Sequence, residues 1–151
     1  MNDHRQVMHK MAAIVSTHDW DRLGDVFTAD AVLEYPQSGE RFRGLRNIRS
    51  QFEFYPALEP GTSELEEVIG GSTYALTPSY TVIEVEGSGT AGTSIVRVRY
   101  PDGSLWYAVN INELRDGRIA RSRTYFAPDF DPPDWRAQWR EAPSTPDPEH
   151  R

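Results

Sequence analysis

Apolar positions in the first third of the chain recur every three or four residues, which is the spacing of amphipathic helices. Three helices are predicted, and their marker residues are Val7, Met11, Ile14 and His18, then Trp20, Leu23, Val26 and Phe27, then Leu45, Ile48, Phe52 and Tyr55. Between the second and third helices, residues 31–35 alternate like a strand that Pro36 ends. Gly39 and Gly44 are predicted to bound a loop.

The second half of the chain alternates with the two-residue period of strands. Strands are predicted over residues 65–69, 80–86, 94–100, 105–114 and 119–126. Asp102-Gly103 and Asp116-Gly117 fall between alternating segments, and Asp-Gly is a strong signal for a two-residue hairpin turn. Helices followed by a meander of strands predict an α+β fold, in which the helices cover one face of an antiparallel sheet.

The two predicted turns decide which residues share a face of the sheet, because side chains alternate along a strand. They pair Val96 with Val109, and Val109 with Thr124. The face predicted to cover the helices carries Val96, Val98, Tyr107, Val109, Ile111, Ser122, Thr124 and Phe126. The opposite face carries Arg97, Arg99, Asn110, Asn112, Arg121 and Arg123, with Glu84 and Glu86 beside them. These arginines indicate either an anion pocket or, as we favour, a solvated or dimer-facing surface with Glu–Arg pairs.

Length and composition restrict the class of protein. The 151 residues suit one domain, which we place over residues 1–141, and the Pro-rich polar end over residues 142–151 is predicted to be a flexible tail. The chain has no Cys, which excludes thiol catalysis and thiolate metal sites. A formal net charge of −7 opposes binding to nucleic acid or to an anionic membrane. The expected partner is therefore a small molecule or a protein.

Location and source are expectations of the same kind. No apolar run is long enough to span a membrane, and the first residues lack a signal-peptide pattern. We therefore expect a cytoplasmic protein. The chain has 15 Arg and one Lys, which suggests a GC-rich bacterial genome.

Three motifs have a functional and a structural interpretation. Residues 87–92 match G-x-G-x-x-G, but the strand after them excludes a dinucleotide fingerprint and predicts a flexible hairpin loop. The His and Asp residues lack the spacing of a ligand set, so no metal site is predicted. Asp131 is predicted to cap a short helix with Trp135 and Trp139 on one face. These tryptophans anchor that segment on the domain, as we favour, or they plug a cavity or reach a second subunit.

The order of these elements resembles the SnoaL-like branch of the nuclear transport factor 2-like superfamily. The resemblance rests on His18-Asp-Trp-Asp, on Val26-Phe-Thr-Ala-Asp-Ala-Val-Leu-Glu-Tyr-Pro36, on Gly44 with its helix, on Asn112-Glu-Leu-Arg-Asp-Gly-Arg-Ile119 and on the ending from Tyr125 to Trp139. It covers residues 4–141 and implies a cone in which a curved antiparallel sheet wraps three N-terminal helices around a pocket. Such domains are usually dimeric, and relatives include ketosteroid isomerase, scytalone dehydratase, limonene epoxide hydrolase and polyketide cyclases. No cofactor is implied.

The resemblance also assigns candidate site positions. The isomerase general base falls on Tyr35, its oxyanion Tyr on Met11 and its second oxyanion donor near Asn110. The acid/base Asp of SnoaL cyclases falls on Thr124, with Ser122 two residues before it. Every expected carboxylate is replaced by a neutral group, which does not take a proton at pH 7. Strand parity turns Asn110 towards the arginines, whereas a β-bulge would turn it towards the pocket; we favour parity.

Two functions remain open after this comparison. In the first, the protein is a cofactor-independent cyclase, isomerase, dehydratase or hydrolase acting on a small, largely apolar metabolite. Tyr35 and Tyr107 would then donate hydrogen bonds to a carbonyl or enolate, and Thr124 and Asn110 would orient the ligand. The pocket walls would be Met11, Trp20, Phe52, Tyr55, Ser122 and Phe126. In the second, the protein binds a small molecule without catalysis or serves as a dimeric scaffold. A homodimer built on the outer sheet face is expected in both.

Overall fold

A computed structural model describes residues 3–54, 64–68, 72–77, 80–88, 90–99 and 104–141, with side chains described for 3–54, 90–97 and 104–141. These residues form two α-helices, α1 (His4–Thr17) and α2 (Leu45–Glu53), and two 3₁₀ helices, Trp20–Asp25 and Asp134–Arg136. The strands are β1 (Phe27–Tyr35), β2 (Glu40–Arg43), β3 (Glu64–Val68), β4 (Ser72–Thr77), β5 (Tyr80–Ser88), β6 (Ala91–Arg99), β7 (Leu105–Arg115) and β8 (Arg118–Pro128). The predicted tail over residues 142–151 lies outside the described residues.

The first predicted helix is confirmed as α1, and its ends have local causes. The Asp3 carboxylate accepts a hydrogen bond from the Gln6 backbone N–H (2.9 Å), and the Gln6 side chain accepts one from the Asp3 N–H (3.0 Å). This capping box satisfies two of the free N–H groups at the helix start. The helix ends at His18, whose φ of 54° lies in the left-handed region. Val7, Met11 and Ile14 are buried, as their spacing predicts.

The second predicted helix is shorter than its apolar spacing suggests. It is a 3₁₀ helix that ends at Asp25, and Phe27 already belongs to β1. The loop predicted between Gly39 and Gly44 is wrong, since Glu40–Arg43 is strand β2 in antiparallel pairing with β1. Gly39 and Gly44 have φ values of 76° and 84°, which glycine adopts without strain and which bracket this short strand.

The second half forms the predicted meander, with additions. The predicted strands correspond to β3, β5, β6, β7 and β8, while β4 has no predicted counterpart. The flexible loop expected at residues 87–92 is largely strand, because Gly87 pairs with Gly92 and Ser88 with Ala91. The hairpin between β7 and β8 turns at Asp116-Gly117, as predicted, with φ values of 53° and 72°. Two consecutive positive φ values are the mark of a type I′ turn.

All eight described strands form one curved sheet in the order β2-β1-β8-β7-β6-β5-β4-β3. The sheet is mixed and not purely antiparallel, because β1 pairs with β8 in parallel. The meander starts at the far edge with β3 and returns strand by strand until β8 lies beside β1. Helix α1 packs against β4 and β5, and α2 packs against β1 and β2. The helices therefore lie on one face of the sheet.

The register predicted for β7 is wrong by one residue on both sides. Val96 pairs with Ala108 and Arg97 with Tyr107, and the ladder ends with Arg99 paired with Leu105, whereas the prediction paired Tyr100 with Leu105. On the other side Asn110 pairs with Thr124 and Asn112 with Ser122. A register shift between Glu113 and Leu114 separates these pairs from the turn.

The register exchanges the two faces of β7, because a slip of one residue turns every side chain to the other face. The helix-facing side therefore carries Val96, Ala108, Asn110, Asn112, Ser122 and Thr124, of which all but Asn110 are buried. The opposite side, here called the outer face, carries Arg97, Tyr107, Val109, Ile111, Arg121 and Arg123. Tyr107 is thus not on the pocket side, and Asn110 is not on the arginine side.

The C-terminal aromatic residues do not anchor their segment on the described domain. Trp135 and Trp139 are 70% and 73% exposed, and Phe130 is exposed as well. The predicted helix is reduced to the 3₁₀ turn Asp134–Arg136, which Asp131 does not cap. The anchoring interpretation that we favoured is therefore wrong. No helix among the described residues is both long and apolar enough to cross a membrane.

Candidate active site

A row of hydrogen-bonded polar side chains crosses the helix-facing side of the sheet. The Thr124 hydroxyl donates to Asn110 Oδ1 (2.7 Å), and Asn110 Nδ2 donates to the Ser94 hydroxyl (3.1 Å). The three residues lie on the adjacent strands β8, β7 and β6 and are paired in register. Polar groups that are withdrawn from water cost free energy unless they are hydrogen-bonded, and each residue of this row has a hydrogen-bond partner within the row.

The row exists because of a β-bulge in the β7–β8 hairpin. Glu113 pairs with Arg121 and Leu114 with Ile119, which leaves Ala120 as the extra residue on β8. In a regular ladder continued from the Asp116-Gly117 turn, Ala120 would pair with Glu113 and Arg123 with Asn110, so Asn110 would lie on the face of the arginines, as strand parity predicts. The resemblance placed Asn110 near an oxyanion donor of the isomerases, and the bulge does bring Asn110 to the helix-facing side.

Tyr35 extends this row onto β1. Glu34 pairs with Arg123, so the next residue, Tyr35, lies level with Thr124 on β8. The Tyr35 ring meets Phe42 and Phe126 edge-on, with ring centroids 5.3 Å apart in both pairs. Such edge-to-face contacts fix the plane of a ring and add to the energy of burial. Tyr35 is therefore held in one orientation by two aromatic neighbours.

A cavity of about 330 Å³ opens beside Tyr35. Its walls are Tyr35, Gln37, Ser38, Glu40, Trp106 and Phe126, so three of the six lining residues are aromatic. Trp106 and Phe126 share the helix-facing side with Ala108 and Thr124, two residues along their strands. The cavity therefore lies next to the polar row, at the end of the sheet where β7 begins and β8 ends. Of the predicted site residues, it brings together Tyr35 and Phe126.

Two short hydrogen-bonded units shape the rim of the cavity. The Gln37 side chain donates to the Phe126 carbonyl (2.7 Å) and accepts from the Phe126 N–H (2.6 Å), as a neighbouring strand would. This clamp joins the β1–β2 turn to the end of β8. The Ser38 hydroxyl donates to the Glu40 carboxylate (2.5 Å), which orients that group at the rim. Sequence reasoning assigned no role to these rim residues.

Deeper on the same side, His4 and Asn112 form a buried polar pair that sequence reasoning missed. Asn112 Nδ2 lies 3.0 Å from His4 Nε2 and 3.5 Å from the Met8 sulfur. Both His4 and Asn112 are almost completely buried. The available signal was the spacing of His4 to Val7, Met8 and Met11, which places the histidine on the apolar face of α1. Asn112 was expected on the other side of the sheet.

The other predicted wall residues that the structure describes are not among the residues that line the cavity. Met11 is buried in the core, and Trp20 stacks on Phe52 with ring centroids 6.0 Å apart. Ser122 is buried beside Asn112 and Leu33. Tyr55 lies outside the described residues. Their roles as ligand contacts stay predictions.

Tyr107 belongs to the outer face, where charged groups are paired. The Arg97 guanidinium lies 4.5 Å from the centre of the Tyr107 ring, and Arg97 Nη2 lies 2.5 Å from Asp129 Oδ2. Glu34 binds Arg121 (3.0 Å) and Arg41 (2.8 Å). These contacts agree with the favoured interpretation of this face as a surface with Glu–Arg pairs. The side chains of Glu84 and Glu86 lie outside the described residues.

The charges around Glu34 lower the pKa of its carboxyl group. Burial alone would raise the pKa of Glu34, whose side chain is 12% exposed. Hydrogen bonds from Arg121 and the positive charges of Arg121 and Arg41 outweigh burial and hold the pKa below its ordinary value. Glu34 is therefore a carboxylate in the folded protein at neutral pH. Among the described side chains, no three His, Asp or Glu residues form a group that could hold a metal ion.

The chain is similar in sequence to the SnoaL-like domain over residues 8–122. Among solved structures, an NTF-2 like protein of unknown function from Burkholderia xenovorans LB400 superposes with a TM-score of 0.70 and 26% identity, over 93% of this chain and 94% of that chain. A protein from Kribbella flavida DSM 17836, provisionally named ketosteroid isomerase, superposes with a TM-score of 0.70 and 19% identity, over 94% and 91%. A protein from Sinorhizobium meliloti, provisionally named polyketide cyclase, gives 0.54 and 22%, over 78% and 92%. No curated protein matches the chain in sequence.

Proposed function

Because the chain belongs to the SnoaL-like domain family, we propose that it binds a small, largely apolar organic metabolite in the cavity beside Tyr35. The observation that carries this proposal is the cavity itself, whose described walls are half aromatic. Its volume of about 330 Å³ lies at the lower end of the range of about 300–1,000 Å³ that is usual for ligand pockets. Apolar walls with a few fixed polar groups are the usual composition of such sites.

The polar groups of the site are suited to one oxygen-bearing end of a ligand. The Tyr35 phenol can donate a hydrogen bond, and the adjacent Thr124–Asn110–Ser94 row has hydroxyl and amide groups in fixed positions. A carbonyl or hydroxyl group would be bound there, while the aromatic side chains cover the apolar body. Met11, Trp20, Phe52, Tyr55 and Ser122 remain proposed contacts of a larger ligand.

Binding is tested by NMR titration of the protein with a panel of small cyclic ketones, phenols and terpenoids. Ligands should shift the Trp106 indole and the Gln37 amide resonances, which report on the cavity walls. Tyr35→Phe should weaken a ligand that has a carbonyl group about fivefold to tenfold, the value of one hydrogen bond. Tyr107→Phe makes the same change on the outer face and should leave affinity unaltered. Equal losses in both variants, or no binding by any compound, would contradict the proposal.

A second candidate function is cofactor-independent catalysis of the isomerase, cyclase, dehydratase or hydrolase type. Two structural neighbours carry provisional isomerase and cyclase names, and preorganised donors such as the Tyr35 phenol can stabilise an enolate or oxyanion. The resemblance assigns the carboxylates of the isomerases and SnoaL cyclases to Tyr35, near Asn110 and to Thr124, and these neutral groups do not abstract a proton at pH 7. This candidate is tested by incubating bound compounds with the protein and following turnover by mass spectrometry. Turnover that Tyr35→Phe does not slow would contradict it.

We also propose that the protein is a cytoplasmic homodimer joined through the outer face. Ile95, Val109 and Ile111 are partly buried there among the arginines, which gives that surface apolar area to cover. The same face is joined to the C-terminal aromatic segment by the Arg97–Asp129 pair.

A further inference from the structure

The cavity beside Tyr35 combines aromatic walls with one carboxylate. Tyr35, Trp106 and Phe126 supply three π systems, and Glu40 supplies the negative charge. Glu40 pairs with Tyr35 in the β1–β2 ladder. Because directly paired residues project from the same face of a sheet, the Glu40 carboxylate lies on the Tyr35 side. The Ser38 hydroxyl holds the carboxylate in place through its 2.5 Å hydrogen bond.

The positive charges of β2 are turned away from this cavity. Arg41 and Arg43 alternate with Glu40 and Phe42 along β2, so they project from the outer face. Arg41 binds Glu34 there at 2.8 Å. Among the described residues that line the cavity, Glu40 is therefore the charged one. The whole chain adds a net charge of −7, which draws cations towards it.

The polar groups of two cavity-wall residues, Gln37 and Trp106, already make hydrogen bonds within the protein. The Gln37 amide is engaged with both backbone groups of Phe126, and the Trp106 indole N–H donates to the Ser104 hydroxyl (3.1 Å). What Trp106 can present to a ligand is therefore its ring. An aromatic ring attracts a cation to its electron-rich face, and a carboxylate nearby adds direct charge attraction.

The geometry points to an organic cation as the ligand class of this cavity: an ammonium head held by Glu40 and the rings of Tyr35, Trp106 and Phe126. The inference rests on the proposed binding function and specifies its ligand. A neutral molecule of the same shape would fill the same space and leave the Glu40 charge without a counter-charge. Discrimination between the two is the property that separates this inference from apolar binding alone.

Choline and 3,3-dimethyl-1-butanol are a matched pair of probes, because they differ only in the charged nitrogen and the neutral carbon at the same position. Each is titrated into the whole protein, and affinity is measured from the Trp106 indole resonance. Choline should bind at least tenfold more tightly than the neutral alcohol. Glu40→Gln should reduce that preference to threefold or less. Glu113→Gln removes a carboxylate from the outer face and should preserve the preference.

The outcomes separate the inference from the function on which it rests. Equal or tighter binding of the neutral alcohol, or a preference for choline that survives Glu40→Gln, overturns the cation inference. Failure of choline to bind, while a neutral compound of the ketone and phenol panel shifts the cavity resonances, overturns the inference and leaves the binding function standing. If neither choline nor any panel compound shifts those resonances, both are wrong.

Discussion

Glu34 shows at the level of one residue how the sheet uses its charges. Its carboxylate is mostly withdrawn from water, yet Arg121 and Arg41 hold its pKa below the ordinary value. A group whose pKa is lower in the folded state contributes stability above its unfolded pKa, and that contribution is lost as the pH falls through the folded value. The ion pairs of Glu34 with Arg121 and Arg41 therefore stabilise the fold at neutral pH and not in strong acid.

Glu34→Gln should accordingly lower the free energy of unfolding at pH 7 by about 1–3 kcal/mol, the range for a hydrogen bond to a charged group. Near pH 3 the difference from the unmodified protein should shrink, because the unfolded chain then binds a proton at Glu34 that the folded protein binds less readily. Urea denaturation at the two pH values measures both numbers. Glu113→Gln, at a more exposed carboxylate, should have a smaller effect at pH 7. A loss that stays constant with pH would contradict this account of Glu34.

Thr124 provides a second test at the residue scale. Thr124→Val keeps the shape of the side chain but removes the hydroxyl that donates to Asn110 Oδ1. The half-buried amide oxygen of Asn110 would lose its partner, so the free energy of unfolding should fall by about 0.5–1.5 kcal/mol, the net value of one hydrogen bond. Denaturant unfolding measures the loss. A change below about 0.5 kcal/mol would mean that the polar row contributes little to the fold.

The residues of the site could be predicted only in part. Tyr35 was predicted from the family resemblance and Phe126 from the alternation of β8, and both line the cavity. Tyr107 was misplaced, because its face depends on a loop length that one Asp-Gly dipeptide does not determine. The face on which Asn110 lies depends on a bulge at Ala120, which no local sequence signal predicts. Glu40 was missed because its segment was interpreted as loop, and Gln37 was missed because no element was predicted between Pro36 and Gly39.

At the scale of elements, the β1–β2 turn and the end of β8 are joined by a side chain that imitates a strand. Gln37 makes two hydrogen bonds to the backbone of Phe126, through its N–H₂ and its carbonyl oxygen. This contact spans 89 positions of the chain and forms one side of the cavity rim. The clamp should therefore govern the local stability of the rim more than that of the whole domain.

Two variants of Gln37 separate its two hydrogen bonds. Gln37→Ala removes both, so amide hydrogen exchange at Phe126 should become at least tenfold faster, equal to about 1.4 kcal/mol. Gln37→Glu keeps an acceptor for the Phe126 N–H but loses the donor to its carbonyl oxygen. Exchange at Phe126 should then stay close to that of the unmodified protein. Unchanged exchange in Gln37→Ala would show that the clamp does not protect the strand end.

Elements were predictable where the signal is local. The apolar spacing of α1 and the Asp116-Gly117 turn were sufficient to place a helix and a hairpin. The parallel pairing of β1 with β8 was not predictable in this way, because it joins residues from opposite ends of the fold. The edge strand β2, which has four residues, was missed because a short segment between two glycines is also typical of a loop.

At the scale of the whole molecule, the outer face and the C-terminal segment present unpaired apolar surface. Phe130, Trp135 and Trp139 are exposed, and Tyr125 is partly exposed on β8. Exposed aromatic residues in a group are a common mark of protein interfaces. The proposed homodimer would cover these residues. Trp135 and Trp139 would then contact the second subunit, which is the alternative to the anchoring role.

Light scattering after size exclusion should give twice the mass of the 17.2 kDa chain at micromolar concentration. Tyr125→Asp and the double change Trp135→Ser with Trp139→Ser should each reduce the mass towards that of a monomer, because they place polar groups in the proposed interface. Phe54→Asp alters another exposed aromatic residue, at the end of α2, and should leave the mass unchanged. A monomer in the unmodified protein would refute the proposal.

The single extra residue at Ala120 marks a position at which this hairpin can change length. In a regular strand, the loss of one residue turns every later side chain to the other face. Here, a deletion of Ala120 would close the bulge and leave Glu113 paired with Arg121 and Asn110 paired with Thr124. Descendants of this sequence can therefore lose this one residue without exchanging the two faces of the hairpin.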